Sequence, residues 1–468
     1  MVVNERTATR VRRTPTFALF LVGVAAFAAS VVAYRQIFVT NPSLWTHTDE
    51  WIYRVGGVVA RQHPAELYNV VMGAPHADKL PFTYPPFAAL VFALGSPFNF
   101  GLWQIALVVI DLVLLPVIIY VSLRISGSRG LSGAGLALIL AAMAIWLEPV
   151  YMTMFFGQIN LILLALIIGD LALPDSCRWK GIGIGIAAGL KLTPLIFIVY
   201  LLVSRRLRAG VVGAASFAAT VVIGFVALPA ASREYWGGKF GSHGGALRLQ
   251  DQSINGVLTR LMHGQPAAQT LWLALAIVVG VAGLATAAVA SRRGLELLGI
   301  TVCGFSGLLV SPISWTHHWV WVVPGLALMA AGARRGAAGP GGAGTGNTGT
   351  GSTGTVRARD WIARAAGAAA ILALFVMWPR STKVGGVSEL LPGGFLRLAP
   401  YGNGLEYTWH GATVLLGNYY VIAGVVAIAG AAGYLWATRG RARPAAVPDG
   451  TGDHQLPASA LMADGERL

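Results

Sequence analysis

The stretch GLWQIALVVIDLVLLPVIIYVSL, residues 101–123, decides the fold class of this chain. It is almost entirely apolar, and about 20 helical residues of this kind cross the roughly 30 Å hydrocarbon core of a bilayer. Comparable runs, separated by short basic loops, lie at residues 16–38, 132–150, 158–173, 208–230, 269–290, 295–314, 318–334, 361–378 and 411–437. The pattern predicts an all-α integral membrane protein, a helical bundle of about 10–12 spans when the ambiguous segments 84–98 and 180–204 are considered.

The composition indicates the same class. Charged residues make up 11% of the 468 residues, hydrophobic residues make up 55%, and the mean hydropathy is +0.65, whereas a soluble domain carries about 25% charged residues. Soluble enzymes and secreted disulfide scaffolds are thereby excluded. The net charge of +15 does not indicate a nucleic-acid partner, because the basic residues fall in short loops between apolar runs, among membrane lipids. Cys177, in a short basic loop, and Cys303, inside an apolar run, suggest no metal or redox role.

The basic residues also orient the spans, since Lys and Arg in short loops stay on the cytoplasmic side. Most of the basic residues lie on the cytoplasmic side if segment 84–98 only enters the outer leaflet without crossing and segment 180–204 is a hairpin bent near residues 189–194. Full crossings at both segments are the alternative, and they place Arg124, Arg129, Arg178 and Lys180 outside. On the preferred topology three long segments are external, and function is expected there.

This topology predicts five regions along the chain. They are a cytoplasmic N-terminus at 1–15, a membrane core at 16–335 with external loops 39–83 and 231–268, a Gly/Thr/Ser-rich cytoplasmic linker at 336–360, C-terminal spans at 361–437 with external loop 379–410, and a disordered cytoplasmic tail at 438–468. No internal repeat is evident in the sequence, which counts against a transporter built from inverted halves.

The first external loop carries the series Asp49-Glu50-Trp51-Ile52-Tyr53-Arg54, directly after the first span. A carboxylate near the bilayer surface, flanked by aromatic residues and an arginine, has the features of a general base for a lipid-borne substrate. The alternative is a solvated charge cluster in which the aromatic residues anchor the chain at the interface. Further along, Tyr84 precedes two prolines that start a helix, and such a helix mouth can line a lipid-facing cleft.

Lys191, in GLKLTP at residues 189–194, lies deep within an apolar stretch. A charged group at that depth in the bilayer costs free energy, so we expect Lys191 to face a polar cavity and to have a function. The alternative is a lysine that snorkels to the interface. Glu148 ends one predicted span, Gln158 and Asn160 open the next, and all three are candidates for substrate binding.

The series SPISWTHHW, residues 311–319, joins two spans at an external turn. His317 and His318 are framed by Trp315 and other aromatic residues. They can act as a base, as hydrogen-bond donors to a phosphate or as metal ligands. We expect no metal, because a site needs three or four ligands and adjacent side chains on a helix diverge. Arg260, in the second external loop, is suited to bind phosphate or sugar hydroxyls, unless that segment is an ordinary polar loop.

In order and spacing, these motifs resemble the polyprenol-phosphate-mannose-dependent α-1,2-mannosyltransferases of actinobacteria. The motifs are Asp49 to Tyr53, PFTYPPF at 81–87, GQIN at 157–160, KLTP at 191–194 and SPISWTHHW at 311–319. Those enzymes belong to glycosyltransferase family 87, which has the GT-C membrane fold. The resemblance runs from about residue 45 to residue 335 and is greatest for the type of enzyme that acts in phosphatidylinositol mannoside synthesis.

The resemblance implies a GT-C bundle whose external loops form an active-site cleft on the outer face of the plasma membrane. It implies a polyprenol-phosphate-mannose donor, a mannosylated glycolipid acceptor and an α-1,2 product, with no cofactor. It also implies that Asp49 is the catalytic aspartate, while Glu50 follows where relatives commonly have a hydrophobic residue and stays a candidate. Related members transfer arabinofuranose from a decaprenyl-phosphate donor, so the sugar stays open, and a lipid-linked sugar transporter or flippase is the rival of another class.

The expected reaction is a single inverting displacement. A β-linked sugar phosphate attacked from the opposite face gives an α product, which needs a base for the acceptor hydroxyl and a cation for the leaving phosphate. Asp49 is the expected base, with His317 or His318 as the alternative that shares the proton. The phosphate is assigned to Lys191, Arg54 or Arg260. The other predicted contacts to substrate are Glu50, Tyr53, Tyr84, Glu148, Gln158, Asn160 and Trp315.

Overall fold

The computed structural model describes residues 5–40, 47–72, 80–238, 248–337, 352–384 and 387–439. The first helices are α1 (Glu5–Thr40), α2 (Thr48–Gln62), α3 (Pro86–Gly95), α4 (Phe100–Ile125), α5 (Gly130–Ala144), α6 (Glu148–Phe156), α7 (Asn160–Leu171), α8 (Ile182–Leu190) and α9 (Leu195–Val203). They are followed by α10 (Leu207–Ala227), α11 (Pro229–Trp236), α12 (Ile254–Leu261), α13 (Ala267–Arg292), α14 (Glu296–Val310), α15 (Val322–Ala337), α16 (Ser352–Phe375), α17 (Ala412–Gly417) and α18 (Tyr419–Ala437). Strands β1 (Val71–Met72) and β2 (Leu80–Pro81) form one antiparallel pair, and β3 (Trp378–Val384) and β4 (Val387–Gly393) form another.

Among the residues that the structure describes, five helices are long and apolar enough to cross a membrane, and they are Thr16–Ile37 of α1, α4, α10, α13 and α18. A sixth crossing results when α6 and α7, which are bent by 119° relative to each other, count as one broken span. The predicted class, an all-α integral membrane protein, is confirmed. By length and composition, the described residues supply five or six of the roughly 10–12 expected spans, because other apolar helices, among them Gly130–Ala144 and Glu296–Val310, have fewer than 18 residues.

The predicted spans at 132–150 and 158–173 show how apolar runs are divided into shorter helices. The first ends at Ala144, and α6 then begins at Glu148 with Pro149 in its first turn, where a missing N–H costs no intrahelical hydrogen bond. α6 ends at Gly157, whose φ of 67° is a left-handed conformation that glycine adopts without strain. The chain turns at this glycine, and α7 starts three residues later.

The segment 180–204 is the predicted hairpin, formed by α8 and α9 with a break at residues 191–194. α8 packs parallel to α10, whereas α9 packs antiparallel to α10. The neighbouring pairs are Gly181 with Ala209, Gly189 with Thr220, Ile198 with Gly213 and Leu202 with Gly210. Both ends of the hairpin meet at one carboxylate, since Asp175 lies 2.8 Å from Lys180 Nζ and 3.3 Å from Arg206 Nε. The break at Lys191 is therefore at the opposite end of the hairpin.

The first span packs lengthwise against α5. Gly23 and Gly135 lie face to face, where an added methyl group on either would overlap the other helix. At the end of this contact, Ser30 Oγ donates to the carbonyl of Ala142 at 2.8 Å and accepts from Trp146 Nε1 at 2.8 Å. This packing fixes the orientation of α1, the helix that precedes α2 in the chain.

The predicted regions outside the core differ in detail from the structure. Because α15 extends to Ala337 and α16 begins at Ser352, residues 352–360 of the predicted linker are helical. The rest of the linker, 338–351, lies outside the described residues, as do 1–4, 41–46, 73–79, 239–247 and 440–468. The predicted loop 379–410 contains the β3–β4 hairpin and two short 3₁₀ helices, Phe395–Leu398 and Leu405–Thr408.

Candidate active site

Asp49 lies in the first turn of α2, at a place fixed by the residue before the helix. His47 has a φ of 51°, and its backbone N–H donates to the carbonyl of Phe155 in α6 at 3.0 Å. α2 is thereby attached to the end of α6, beside the turn at Gly157. A carboxylate in the first turn of a helix is favoured by the unpaired N–H groups there. Neighbouring residues on a helix diverge by about 100°, so that Asp49 and Glu50 face different surroundings.

The carboxylate of Asp49 is held by an amide. Gln158 Nε2 donates to Asp49 Oδ2 at 2.7 Å, and Gln158 Oε1 accepts from the hydroxyl of Tyr53 at 2.6 Å. Tyr84 completes the arrangement, because its hydroxyl lies 2.9 Å from that of Tyr53 and 3.4 Å from Gln158 Oε1. The two tyrosines therefore orient the amide so that its NH₂ group points at Asp49.

Burial raises the pKa of Asp49 to about 6, although the hydrogen bond from Gln158 and the positive charge of Lys191 both act to lower it. A carboxylate with this pKa is still ionised at neutral pH, and it accepts a proton more readily than a free aspartate does. The side chain is partly exposed. A carboxylate in this position can accept a proton from a group that reaches it from outside the protein.

Lys191 lies at the break between α8 and α9, and its ammonium group has two polar neighbours. Nζ lies 2.9 Å from His318 Nε2 and 3.2 Å from Asn160 Oδ1. The ammonium also lies 5.7 Å from the centre of the Tyr84 ring, a distance typical of a cation–π contact. Tyr84 thus contacts both halves of the site, the amide that holds Asp49 and the buried cation.

The two histidines have different surroundings. The ring of His317 is buried, with the rings of Phe156 and His318 at 5.3 Å and 4.7 Å, and its carbonyl accepts from Asn160 Nδ2 at 2.9 Å. The ring of His318 instead reaches Lys191. Of the pair, His318 is the one that lies with the cation, while His317 fixes the turn to α7 through Asn160.

A small cavity of about 50 Å³ opens next to Lys191 and His318, between α7, α9 and α14. Most of its lining is apolar, and the apolar residues are Leu163, Leu164, Ile167, Pro194, Ile196, Phe197, Leu308, Val320 and Trp321. A cation and an imidazole at the edge of an apolar slot match the two parts of a lipid phosphate, which are an anionic head and a hydrocarbon chain.

Three predicted contacts lie outside this cluster. Glu50 is fully buried, 2.5 Å from His47 Nδ1 and packed under Gly157, and burial raises its pKa against the opposing effect of His47. Arg54 lies over the ring of Phe100, with its guanidinium 5.7 Å from the ring centre. Within the described ranges, neither side chain forms a hydrogen bond or an ion pair with Asp49, Lys191 or His318. Glu148, at the far end of α6, is buried against Gly394 of the C-terminal loop.

Arg260 is buried among partners of its own, whereas Trp315 is partly exposed. The guanidinium of Arg260 is buried and donates to Asn418 Oδ1 and to the carbonyls of Arg248 and Asp251. Trp315 forms a backbone bridge with Asp251. Arg260 is therefore separated from the cluster at Lys191 by the turn that it supports.

Sequence reasoning did not single out His47, Asp251 or Asn418. Each acts through a partner far along the chain, as in the contact between His47 and Phe155. The available signals were weak, because Asn418 stands at a helix start and Asp251 stands in a polar loop, and both positions are common for these residue types.

Comparison with known proteins identifies the family. The model of glycosyltransferase family 87 matches residues 82–312. The polyprenol-phosphate-mannose-dependent alpha-(1-2)-phosphatidylinositol mannoside mannosyltransferase of Mycobacterium tuberculosis H37Rv is 35% identical over an alignment of 334 residues, which covers 65% of this chain and 74% of that protein. No solved structure matches the chain.

Two relatives are named polyprenol-phosphate-mannose-dependent alpha-(1-2)-phosphatidylinositol pentamannoside mannosyltransferase. The one from Mycobacterium tuberculosis CDC 1551 is 35% identical over an alignment of 291 residues, which covers 60% of this chain and 66% of the relative. The one from Mycolicibacterium smegmatis is 35% identical over an alignment of 281 residues, which covers 58% of this chain and 66% of the relative. The segment that the family model matches holds Tyr84, Gln158, Asn160 and Lys191, and it ends at Pro312, five residues before His317. This chain belongs to glycosyltransferase family 87 and is a membrane-embedded glycosyltransferase.

Proposed function

We propose that this chain moves mannose from polyprenol-phosphate-mannose to a phosphatidylinositol mannoside, with inversion and with formation of an α-1,2 linkage, on the outer face of the plasma membrane. The observation that carries the proposal is the placement of Asp49, Lys191 and His318 around Tyr84 and Gln158, beside an apolar cavity. The printed names of the relatives support the donor, the acceptor and the linkage.

In the proposed reaction, a hydroxyl oxygen of the acceptor forms a bond to the anomeric carbon of mannose. The bond from that carbon to the phosphate oxygen breaks, and its electron pair leaves with polyprenyl phosphate. Asp49 takes the proton of the acceptor hydroxyl, and general-base help of this kind contributes about 10²- to 10⁴-fold. Because attack comes from the face opposite the leaving group, a β-linked donor gives an α product.

Lys191 and His318 are proposed to bind the phosphate, where negative charge grows as the bond breaks. Lys191 supplies the positive charge, and its two neighbours hold it in place. The apolar cavity takes the beginning of the polyprenyl chain. The proposal assigns no metal ion and no cofactor, since the side chains themselves supply the base and the cation.

A direct assay separates this function from its rivals. Purified protein in detergent micelles, given radiolabelled polyprenol-phosphate-mannose and a phosphatidylinositol mannoside, should form a labelled glycolipid without any sealed compartment. A requirement for closed vesicles would instead favour a transporter or flippase. Decaprenyl-phosphate-arabinose, tested in parallel, should give no product. A preference for this donor would show that the transferred sugar is arabinofuranose and not mannose.

The side of the membrane is tested separately. The two cysteines of the chain are Cys177 and Cys303, and a variant without them accepts a single new cysteine at Glu66, an exposed position after α2. In intact cells an impermeant maleimide should label this position. Labelling only after cell rupture would place the site on the cytoplasmic face.

A further inference from the structure

Arg260 and Asn418 form a buried contact between the second external loop and the last span. Arg260 Nη2 and Nε lie 2.6 Å and 3.2 Å from Asn418 Oδ1, and the two side chains are 158 residues apart in the chain. Asn418 Nδ2 in turn donates to the carbonyl of Val414 at 2.8 Å. Both residues are nearly inaccessible to solvent, with exposed fractions of 1% and 3%. A buried guanidinium needs such partners, because an unpaired buried charge is strongly destabilising.

The same guanidinium holds the backbone of the loop. Arg260 Nη1 donates to the carbonyl of Asp251 at 2.8 Å and to that of Arg248 at 3.0 Å. A second contact reinforces the first, because Gln252 Nε2 donates to the carbonyl of Gly417 at 2.8 Å. The start of α18 therefore holds residues 248–252 at two points.

That loop segment pairs with the turn that carries the histidines. Gln252 N–H donates to the carbonyl of Ser314 at 2.7 Å, and Thr316 N–H donates to the carbonyl of Gln250 at 3.0 Å. Asp251 Oδ1 accepts from the Ser314 N–H at 2.9 Å. His317 is the next residue after Thr316, so this pairing holds the backbone directly before the two histidines. The loop supports the histidine turn on one side, and Asn160 supports it on the other.

We propose that the Arg260–Asn418 contact positions His318 for the reaction, so that the last span, which lies outside the matched segment 82–312, is part of the catalytic framework. Arg260 and Asn418 are positioning residues, since they act through the loop and the turn. The inference rests on the proposed function for its kinetic effect, but its structural effect is measurable without activity. Misplacement of a catalytic group by about 1 Å can lower a rate by about 10²-fold.

The test replaces Asn418 by leucine, which has a similar size and no acceptor, and by aspartate, which keeps the acceptor oxygen. Thr438→Val, at the other end of the same helix, is the matched control, because its hydroxyl bonds only within α18. Hydrogen exchange of the full-length protein in detergent should speed up at least tenfold for the peptide that covers residues 311–320 in Asn418→Leu. The peptides of α7 and α14 should be unchanged. The peptide that covers residues 311–320 should also be unchanged in Asn418→Asp and in Thr438→Val.

The kinetic arm follows the same variants. We expect kcat to fall about 10- to 100-fold in Asn418→Leu, with the KM for the donor within threefold of wild type, and we expect Asn418→Asp to restore most of kcat. Unchanged exchange at 311–320, or faster exchange throughout the protein, would overturn the positioning role whatever the activity. Absence of transfer by the wild-type chain would overturn the proposed function, while the exchange result would still decide the placement of the turn.

Discussion

Lys191 Nζ and His318 Nε2 lie 2.9 Å apart, although the two residues are separated by 127 positions in the chain. An ammonium group offers only donors, so the imidazole nitrogen that faces it must accept, and the proton of the neutral ring is on Nδ1. The pair is therefore one cationic unit built from the break of the α8–α9 hairpin and from the histidine turn. We assign the phosphate of the donor to this unit.

Removal of the cation should slow the reaction more than it weakens binding. In Lys191→Met the growing charge on the phosphate loses its partner, and we expect kcat to fall about 10²- to 10³-fold. Lys191→Arg keeps the charge with altered geometry and should retain more activity than Lys191→Met. Steady-state rates with labelled donor measure both variants. A wild-type rate in Lys191→Met would remove this residue from the phosphate site.

The rate should depend on pH with an acidic limb set by Asp49. Burial raises its pKa to about 6, so the fraction of the ionised base decreases as the pH falls through that value. We expect kcat/KM to decrease about tenfold per pH unit below about pH 6 and to level off towards neutral pH. Rates measured from pH 4.5 to 8 in detergent give this profile. A rate independent of pH down to pH 4.5 would contradict a base with this pKa.

The amide of Gln158 should determine the pH at which the acidic limb of the rate profile lies. Its hydrogen bond lowers the pKa of Asp49, so in Gln158→Leu the pKa should rise and the acidic limb should move to higher pH. The variant should also lose about tenfold in rate at neutral pH, since the carboxylate is no longer oriented. Tyr53→Phe removes one bond to the same amide and should shift the limb in the same direction by less. A limb that moves to lower pH would contradict this role.

Glu50 should be dispensable for the chemistry. It is buried beside His47 and under Gly157, so Glu50→Gln keeps the shape and should leave kcat within threefold of wild type. Glu50→Ala leaves a cavity and should lower the thermal midpoint by several degrees, as large-to-small substitutions in cores do. Differential scanning fluorimetry and the transfer assay separate the two effects. Loss of transfer by Glu50→Gln without loss of stability would return Glu50 to the site.

The sequence alone predicted the membrane class and the deep cation. Apolar runs near 20 residues and loops rich in Arg predicted helical spans, and the same charges predicted the hairpin whose ends meet at Asp175. The depth of Lys191 predicted polar neighbours, and the structure supplies Asn160 and His318. These predictions succeeded because they depend on local composition and on the cost of charge in a bilayer.

Other features depend on contacts between distant segments and were beyond the sequence pattern. Which of Asp49 and Glu50 faces the cleft is set by the rotation of α2, which the His47 contact to Phe155 fixes. Arg260 was expected to bind phosphate, but its partner Asn418 lies in the last span. The division of the spans near Gly157 was also missed, because the apolar composition continues through the turn.

The most direct measurement is the rate of mannose transfer by Asp49→Asn in detergent micelles. The matched control is Glu66→Gln, which changes an exposed carboxylate soon after α2. Asparagine keeps the size and polarity of the side chain but cannot take the proton. The account predicts a loss of about 10²- to 10⁴-fold for Asp49→Asn and an unchanged rate for Glu66→Gln. Transfer by Asp49→Asn at the wild-type rate would contradict it.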